Sequence, residues 1–282
     1  MTVAFFGRAG VAWREARRES RTLCRWRRLI ALCWVLPICG ASHAAADSLT
    51  EAAERYRPLI IEEIGLALSG ARDLHESISR NDLRRAREAW ISARAGWERS
   101  EVLTAGFVPE LDRQIDAWPD AAAGFHAIEA KLFGANRTDV AAETDELVSH
   151  LADLHASLRD MPLTPQGLLD GTVRLAYEVG ESKSDGGESR ISGTSLNDMR
   201  NNVEGIDVAY RTIFAQVLEA ADRRLAETIA ANIDRLRKLV APHELKQVNV
   251  PDLRRASEEL AVALQNAGPR IGLVRPALEA SP

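Results

Sequence analysis

Leu59-Ile60-Ile61-Glu62-Glu63-Ile64-Gly65-Leu66-Ala67-Leu68 lies inside a run from Leu49 to Ser79 that reads as one long amphipathic helix. Its apolar positions include Leu59, Ile60, Ile64, Leu66 and Leu68, the spacing of a helix face turned to a core. Pro58 marks either a kink or the true first turn. Downstream the same grammar repeats. Asp82 caps a second helix to about Ala105, carrying Trp90, Trp97, Glu98 and Glu101. A short helix near 109–117 carries Asp112 and Asp116. Pro119 opens a helix through about Phe133, stopped by Gly134 and Asn136. Helices follow over about 138–159 and 165–179. Gly180 to Arg190 is polar and Gly-rich, without apolar period, and reads as an exposed loop. Thr194 or Ser195 caps the next helix, and helices continue to about Val240 with a break near 220–222. Pro242 and Pro251 frame a linker before a closing helix from Asp252 to Ala267. Ala, Leu, Arg and Glu dominate, and alternating strand patterns and Asn-Gly hairpin turns are missing. The expected fold is all-α, a helical bundle of about seven to nine helices, or two four-helix-bundle-like halves joined near 160–165.

The chain divides at Ala46. Residues 1–46 hold eight Arg and two acids, Glu15 and Glu19. An apolar run from Leu29 to Gly40 follows, only 12 residues long, against the roughly 20 needed to span a bilayer. Small residues come next, Ala41-Ser42-His43-Ala44-Ala45-Ala46. Basic, then apolar, then small is the order of a secretory signal peptide, with cleavage after Ala44 or Ala46. An N-terminal membrane anchor is the alternative. Arg27-Arg28 leaves a twin-arginine route open, and Leu36-Pro37-Ile38-Cys39 matches a lipoprotein box only loosely. All three Cys, at 24, 33 and 39, fall in this leader. The body, residues 47–282, therefore has neither a disulfide framework nor a thiolate metal site. The body carries 28 Lys and Arg against 39 Asp and Glu, near −11. That charge argues against nucleic acid, which needs basic patches, and suits a protein that meets cations.

Acids and one imidazole concentrate in the first third of the body. His126 and Glu129 stand three residues apart in Gly124-Phe125-His126-Ala127-Ile128-Glu129, on one helix face. Glu98 and Glu101 form a second pair at that spacing, and Asp112 and Asp116 lie one turn apart between them. Each pair alone is most simply a surface ion pair or a solvated face. Together they fall on helices that short connections make neighbours, and bundle metal sites are built from facing helices. Glu98, His126 and Glu129, with Asp112 or Asp116, can converge on one ion. Three carboxylates and one imidazole suit iron (Fe²⁺ or Fe³⁺), manganese or zinc alike, rather than Cu(I).

These residues resemble the imelysin/EfeO family. The likeness rests on Trp97-Glu98-Arg99-Ser100-Glu101, on Leu111-Asp112-Arg113-Gln114-Ile115-Asp116, and on the Gly-x-His-x-x-Glu pattern at 124–129. A second block agrees: Glu178 through Lys183, Glu188, Ser192-Gly193-Thr194-Ser195-Leu196-Asn197-Asp198, and Asn202 to Gly205. Together they span most of the body, from about Asp47 to Gly272. Trp97 stands where the family more often has Tyr. The resemblance implies a helical periplasmic protein of a bacterial iron-uptake system, working beside an inner-membrane iron permease and a periplasmic haem peroxidase. It further implies the shorter EfeM-type form without a cupredoxin domain. The metal ligands it implies are His126 and Glu129, then Glu98 and Asp112 or Asp116, with Glu188 as an extra acid able to close over the site.

Iron binding for delivery to a permease is the leading expectation. An imelysin-type zinc metallopeptidase is one alternative, but the sequence has no His-Glu-x-x-His helix. Binding of an acidic, alginate-like polysaccharide is another. Trp90, Trp97 and Trp118 would then supply stacking surfaces, though core positions are the simpler account.

Overall fold

The computed structural model describes residues 38–116 and 123–278. The leader through Pro37, Trp118 and the helix start at Pro119 lie outside the described residues. The rest is an all-α fold. Its elements are α1 (Ile38–Ser79), α2 (Leu83–Phe107), α3 (Pro109–Asp116), α4 (Gly124–Glu129), α5 (Ala141–Ser157), α6 (Pro165–Glu181), α7 (Ser195–Ala209), α8 (Ala215–Leu239) and α9 (Val250–Arg270). Single wide π turns follow α4 (Ala130–Gly134) and join α7 to α8 (Tyr210–Phe214). No helix among the described residues is long and apolar enough to cross a membrane.

Local chemistry sets most boundaries. The Asp82 side chain accepts from the backbone N–H of Arg85 and starts α2, while Asn81 turns the chain in the left-handed region at φ 55°. Thr164 caps α6 in the same way, with Pro165 in its first turn. α8 breaks at Asp222, whose φ of −153° is not helical and whose carboxylate re-caps the chain at Leu225. α1 runs through Pro58 without ending there. Leu59 and Leu66, expected on its apolar face, are 37% and 47% exposed. The buried stripe is instead Ala53, Tyr56, Ile60, Ile64, Ala67, Ala71 and Leu74, a tighter three-and-four repeat. α9 starts earlier than Asp252, because Asn249 caps it and Pro251 sits in its first turn rather than in a linker.

α2 is the central helix. It packs along α1 and also against α3, α6 and α7. Helices from both sides of residue 160 thus share α2. The close approaches depend on residues without a side chain. A Cβ at Gly171 of α6 would collide with the carbonyl oxygen of Val102 on α2. Replacing Gly171 by Ala should raise helix propensity by about 1 kcal/mol, yet forcing α6 off α2 costs about 1–3 kcal/mol, nearer the upper figure for a clash with backbone. A net loss of about 2 kcal/mol is expected in urea unfolding. A midpoint at or above wild type would show that this contact does not set the spacing.

Candidate metal centre

Arg94 sits on the inner face of α2 with 0% exposure. Trp90 and Phe125 cover it, their ring centroids 5.8 and 5.3 Å from the guanidinium carbon. A buried charge must be paired, and this one faces acids from four directions. It pairs with Glu98 one turn along α2 and with Asp116 at the end of α3. It lies 3.1 Å from Glu188 in the 182–194 segment and 3.5 Å from Asp198 in the first turn of α7. Lys183 is the second cation. Its ammonium lies 3.0 Å from Glu98, 2.7 Å from Glu101 and 2.9 Å from Glu188. Asn202 of α7 closes this side, its Nδ2 donating to Glu98 at 2.8 Å and to Glu101 at 2.7 Å.

His126 enters from α4. Gly124 makes that approach fit: its φ is +73°, and a Cβ there would strike the carbonyls of Gln114 and Ile115 at the end of α3. The imidazole then spans two carboxylates, with Nε2 at 3.2 Å from Asp116 and Nδ1 at 3.2 Å from Glu129. Glu129 accepts from the backbone N–H of Ser192 at 2.8 Å with its other oxygen. Glu129 therefore stands behind the imidazole. It fixes the ring and turns Nε2 towards the acids, as carboxylates backing metal-ligating histidines do.

Two overlapping sets offer ligand atoms all within 4.8 Å of one another: Asp116, His126 and Glu188, and Glu98, Glu101, Asp116 and Glu188. Asp116, Glu98, Glu101 and His126, all expected from sequence, are thus brought together. Glu129 and Asp112 are not among the converging donors. Asp112 faces Thr104 and Arg174, one turn before Asp116, and burial pushes its carboxyl up to about 6.

The 180–190 segment is not an exposed loop. Lys183, Ser184, Glu188 and Ser189 are buried, because their polar groups meet charges and backbone inside the fold. Ser189 donates to Asp198, its backbone N–H donates to the Ser195 hydroxyl at 3.2 Å, and Ser195 donates to the Gly186 carbonyl at 3.0 Å. Arg94, Lys183, Asp198 and Asn202 were not expected as site residues. For Lys183, Asp198 and Asn202 the signal in the sequence was the polar block from 180 to 202, whereas Arg94 lies outside it on α2. Trp97 is buried and donates Nε1–H to Asp116 at 2.6 Å, and Trp90 is buried likewise, so neither offers a stacking surface for sugar.

The cluster has more acid than base. Glu98, Glu101, Asp116, Glu129, Glu188 and Asp198 share Arg94, Lys183 and one imidazole. Burial opposes ionisation throughout, but Arg94 and Lys183 hold the Glu98 carboxyl below the ordinary range. Arg94 and His126 do the same for Asp116. Burial also opposes Glu129, but hydrogen bonds from His126 and Ser192 hold it below the ordinary range, and only Glu101, Glu188 and Asp198 lose that competition. Burial and the Glu98 charge push Glu101 well up, burial raises Glu188, and burial pushes Asp198 up to about 7. Asp198 Oδ1 and Asn202 Oδ1 are buried with no hydrogen-bond partner. The donor set fits a hard or borderline cation.

The imelysin family model (peptidase M75) matches residues 52–123 and 120–268. This chain belongs to the imelysin family. Two relatives from Staphylococcus aureus carry the name EfeM/EfeO family lipoprotein. The one from strain MRSA252 is 31% identical over 207 residues, and the one from strain NCTC 8325 is 30% identical over the same length. Each alignment covers 68% of this chain and 71% of the relative. The fold is similar to the crystal structure of a protein named as an iron-regulated protein A precursor from Parabacteroides distasonis. That match has a TM-score of 0.66 at 16% identity and covers 80% of this chain and 95% of the other.

His126 gives the site a pH signature. Burial alone would lower its pKa, but Asp116 and Glu129 outweigh it and push the imidazole from 6.5 up to about 9. A raised value means the stabilisation, roughly 3 kcal/mol, is fully present below pH 6.5 and lost as pH rises to about 9. Chelator-treated protein should therefore lose stability to urea between about pH 6.5 and pH 9, and His126→Gln should flatten that slope. An unchanged slope in the variant would remove His126 from the charge network.

Proposed function

We propose that this protein binds an iron ion in the cluster around Asp116, His126 and Glu188, outside the cytoplasm, and delivers it to a membrane permease of an iron-uptake system. The observation that carries this reading is the surplus of buried carboxylates over cations. Burial pushes Glu101, Glu188 and Asp198 towards neutrality, and the attraction of Arg94 and Lys183 does not offset it. A di- or trivalent cation beside His126 relieves that shortage by letting Glu188 ionise against it. His126 adds a nitrogen donor held in place by Glu129. The names of the relatives support the compartment and the cargo: two are EfeM/EfeO family lipoproteins, and the structural neighbour is named for iron regulation. The protein acts as a binding component rather than an enzyme. The acids nearest the imidazole are occupied by His126, Ser192 or Arg94, which leaves no general base aimed at a substrate.

Binding requires His126 to give up its proton and Glu188 to ionise, so metal uptake should release protons and weaken at low pH. Calorimetry with Fe²⁺ under anaerobic conditions, Fe³⁺, Zn²⁺ and Mn²⁺ tests the assignment. Asp116→Asn combined with His126→Ala should cut iron affinity by about 100-fold or more, near 3 kcal/mol. Iron binding close to wild type in that variant would sink the site. Tight zinc with weak iron, together with metal-dependent cleavage of a peptide library, would favour a peptidase instead.

A further inference from the structure

The two overlapping ligand sets share Asp116 and Glu188. Carboxylates shared by two adjacent cation positions are the plan of a paired-metal site, in which bridging acids hold two ions about 3.5–4 Å apart. Here the two positions are not alike. The half containing His126 has an imidazole nitrogen and meets Lys183 only through the shared Glu188, while Arg94 pairs with the shared Asp116 and Glu188 and so faces both halves. The other half, Glu98, Glu101, Asp116 and Glu188, already has a cation against it. The Lys183 ammonium is 4% exposed and makes contacts of 2.7–3.0 Å to Glu98, Glu101 and Glu188, three of the four acids in that half. Its three N–H donors are matched by three carboxylates, which is the full capacity of the group.

The backbone holds Lys183 in that position. Its N–H donates to the Glu178 carbonyl at 3.1 Å, continuing the last turn of α6, and the next residue, Ser184, accepts from Arg254 Nε of α9 at 3.1 Å. Asn202 donates to Glu98 and Glu101 from the opposite side, so these carboxylates are kept in place with or without a metal.

We propose that Lys183 serves as a built-in second cation: its ammonium fills the four-carboxylate half of a two-cation cage and limits the chain to one metal ion, held in the half that bears His126. This inference rests on the metal-binding reading above and adds to it the stoichiometry and the residue that sets it.

The test is metal content per chain, by elemental analysis after desalting and by anaerobic calorimetry with Fe²⁺. Wild type should hold one ion. Lys183→Arg, which keeps the charge, should also hold one. Lys183→Ala should hold two, and adding Glu98→Gln and Glu101→Gln to it should return the count to one. Wild type holding two ions overturns the proposal, as does Lys183→Ala that stays helical by circular dichroism and holds only one. Should Lys183→Ala fail to fold, Glu101→Gln in the wild-type background decides. Glu101 serves the lysine and not the metal, so affinity should fall less than about tenfold, and a larger loss overturns the assignment. Wild type binding no metal removes the underlying reading and this proposal with it. One ion in both wild type and Lys183→Ala removes only the role given to Lys183.

Discussion

The Arg94 guanidinium is the interaction around which the rest of the site is arranged. A charge with no exposure is tolerated only when acids surround it, and here they come from α2, α3, α7 and the 182–194 segment. α3 shows the dependence most clearly. It is eight residues long and its only buried side chain other than the acids is Ile115, too little apolar surface to hold a short helix in place. Asp116 holds its end by pairing with Arg94, Trp97 and His126. The 182–194 segment is similar: it has no helix or strand of its own, and Lys183 and Ser189 bind it to acids inside while Glu188 binds it to Arg94. Charge does here what apolar burial does elsewhere in the chain.

The apolar framework supplies the complementary constraint. α1, α6 and α7 approach α2 at backbone distance, and side chains that project from α2 between them have no room to move. Glu98 and Arg94 belong to that rigid face, with Trp90 and Trp97 packed beside them. Donors fixed by packing thus face donors fixed only by charge. In such an arrangement the positions of Glu98 and Arg94 are set by the fold, whereas those of Glu188 and Asp116 depend on the cations they meet.

How much of this could be read from sequence follows from the same division. The helices and several caps were legible, because apolar period and capping chemistry are local: Asp82, Thr164 with Pro165, and the break near Asp222 all show in the chain itself. The meeting of Glu98, Glu101, Asp116 and His126 was legible from spacing and from family likeness. The role of Glu129 was not, since three-residue spacing puts two groups on one face but does not say which one looks inward. Arg94 was invisible for a related reason. It stands in a helix with Arg84, Arg85, Arg87 and Arg99, all of which look alike in one dimension, and only the three-dimensional packing buries one of them completely. The polar 180–190 stretch was misread as exposed because composition cannot show that its charges have buried partners.

A site that carries a metal must bind it and also let it go, and the balance of fixed charges sets both. Each carboxylate near the ion deepens the well, more steeply in a buried site than in water. Each permanent cation makes it shallower by the same rule. A cage of six acids without Arg94 and Lys183 would be too costly to bury empty, and filled it would hold its ion too firmly for exchange. With them, part of the acid charge is already answered in the protein without metal, and an incoming ion gains from the part that is not. Seen this way, the two buried cations are not defects in a metal site. In the iron-delivery role proposed above, they would let an acid-rich centre fold without its ion and would lower its affinity enough for exchange.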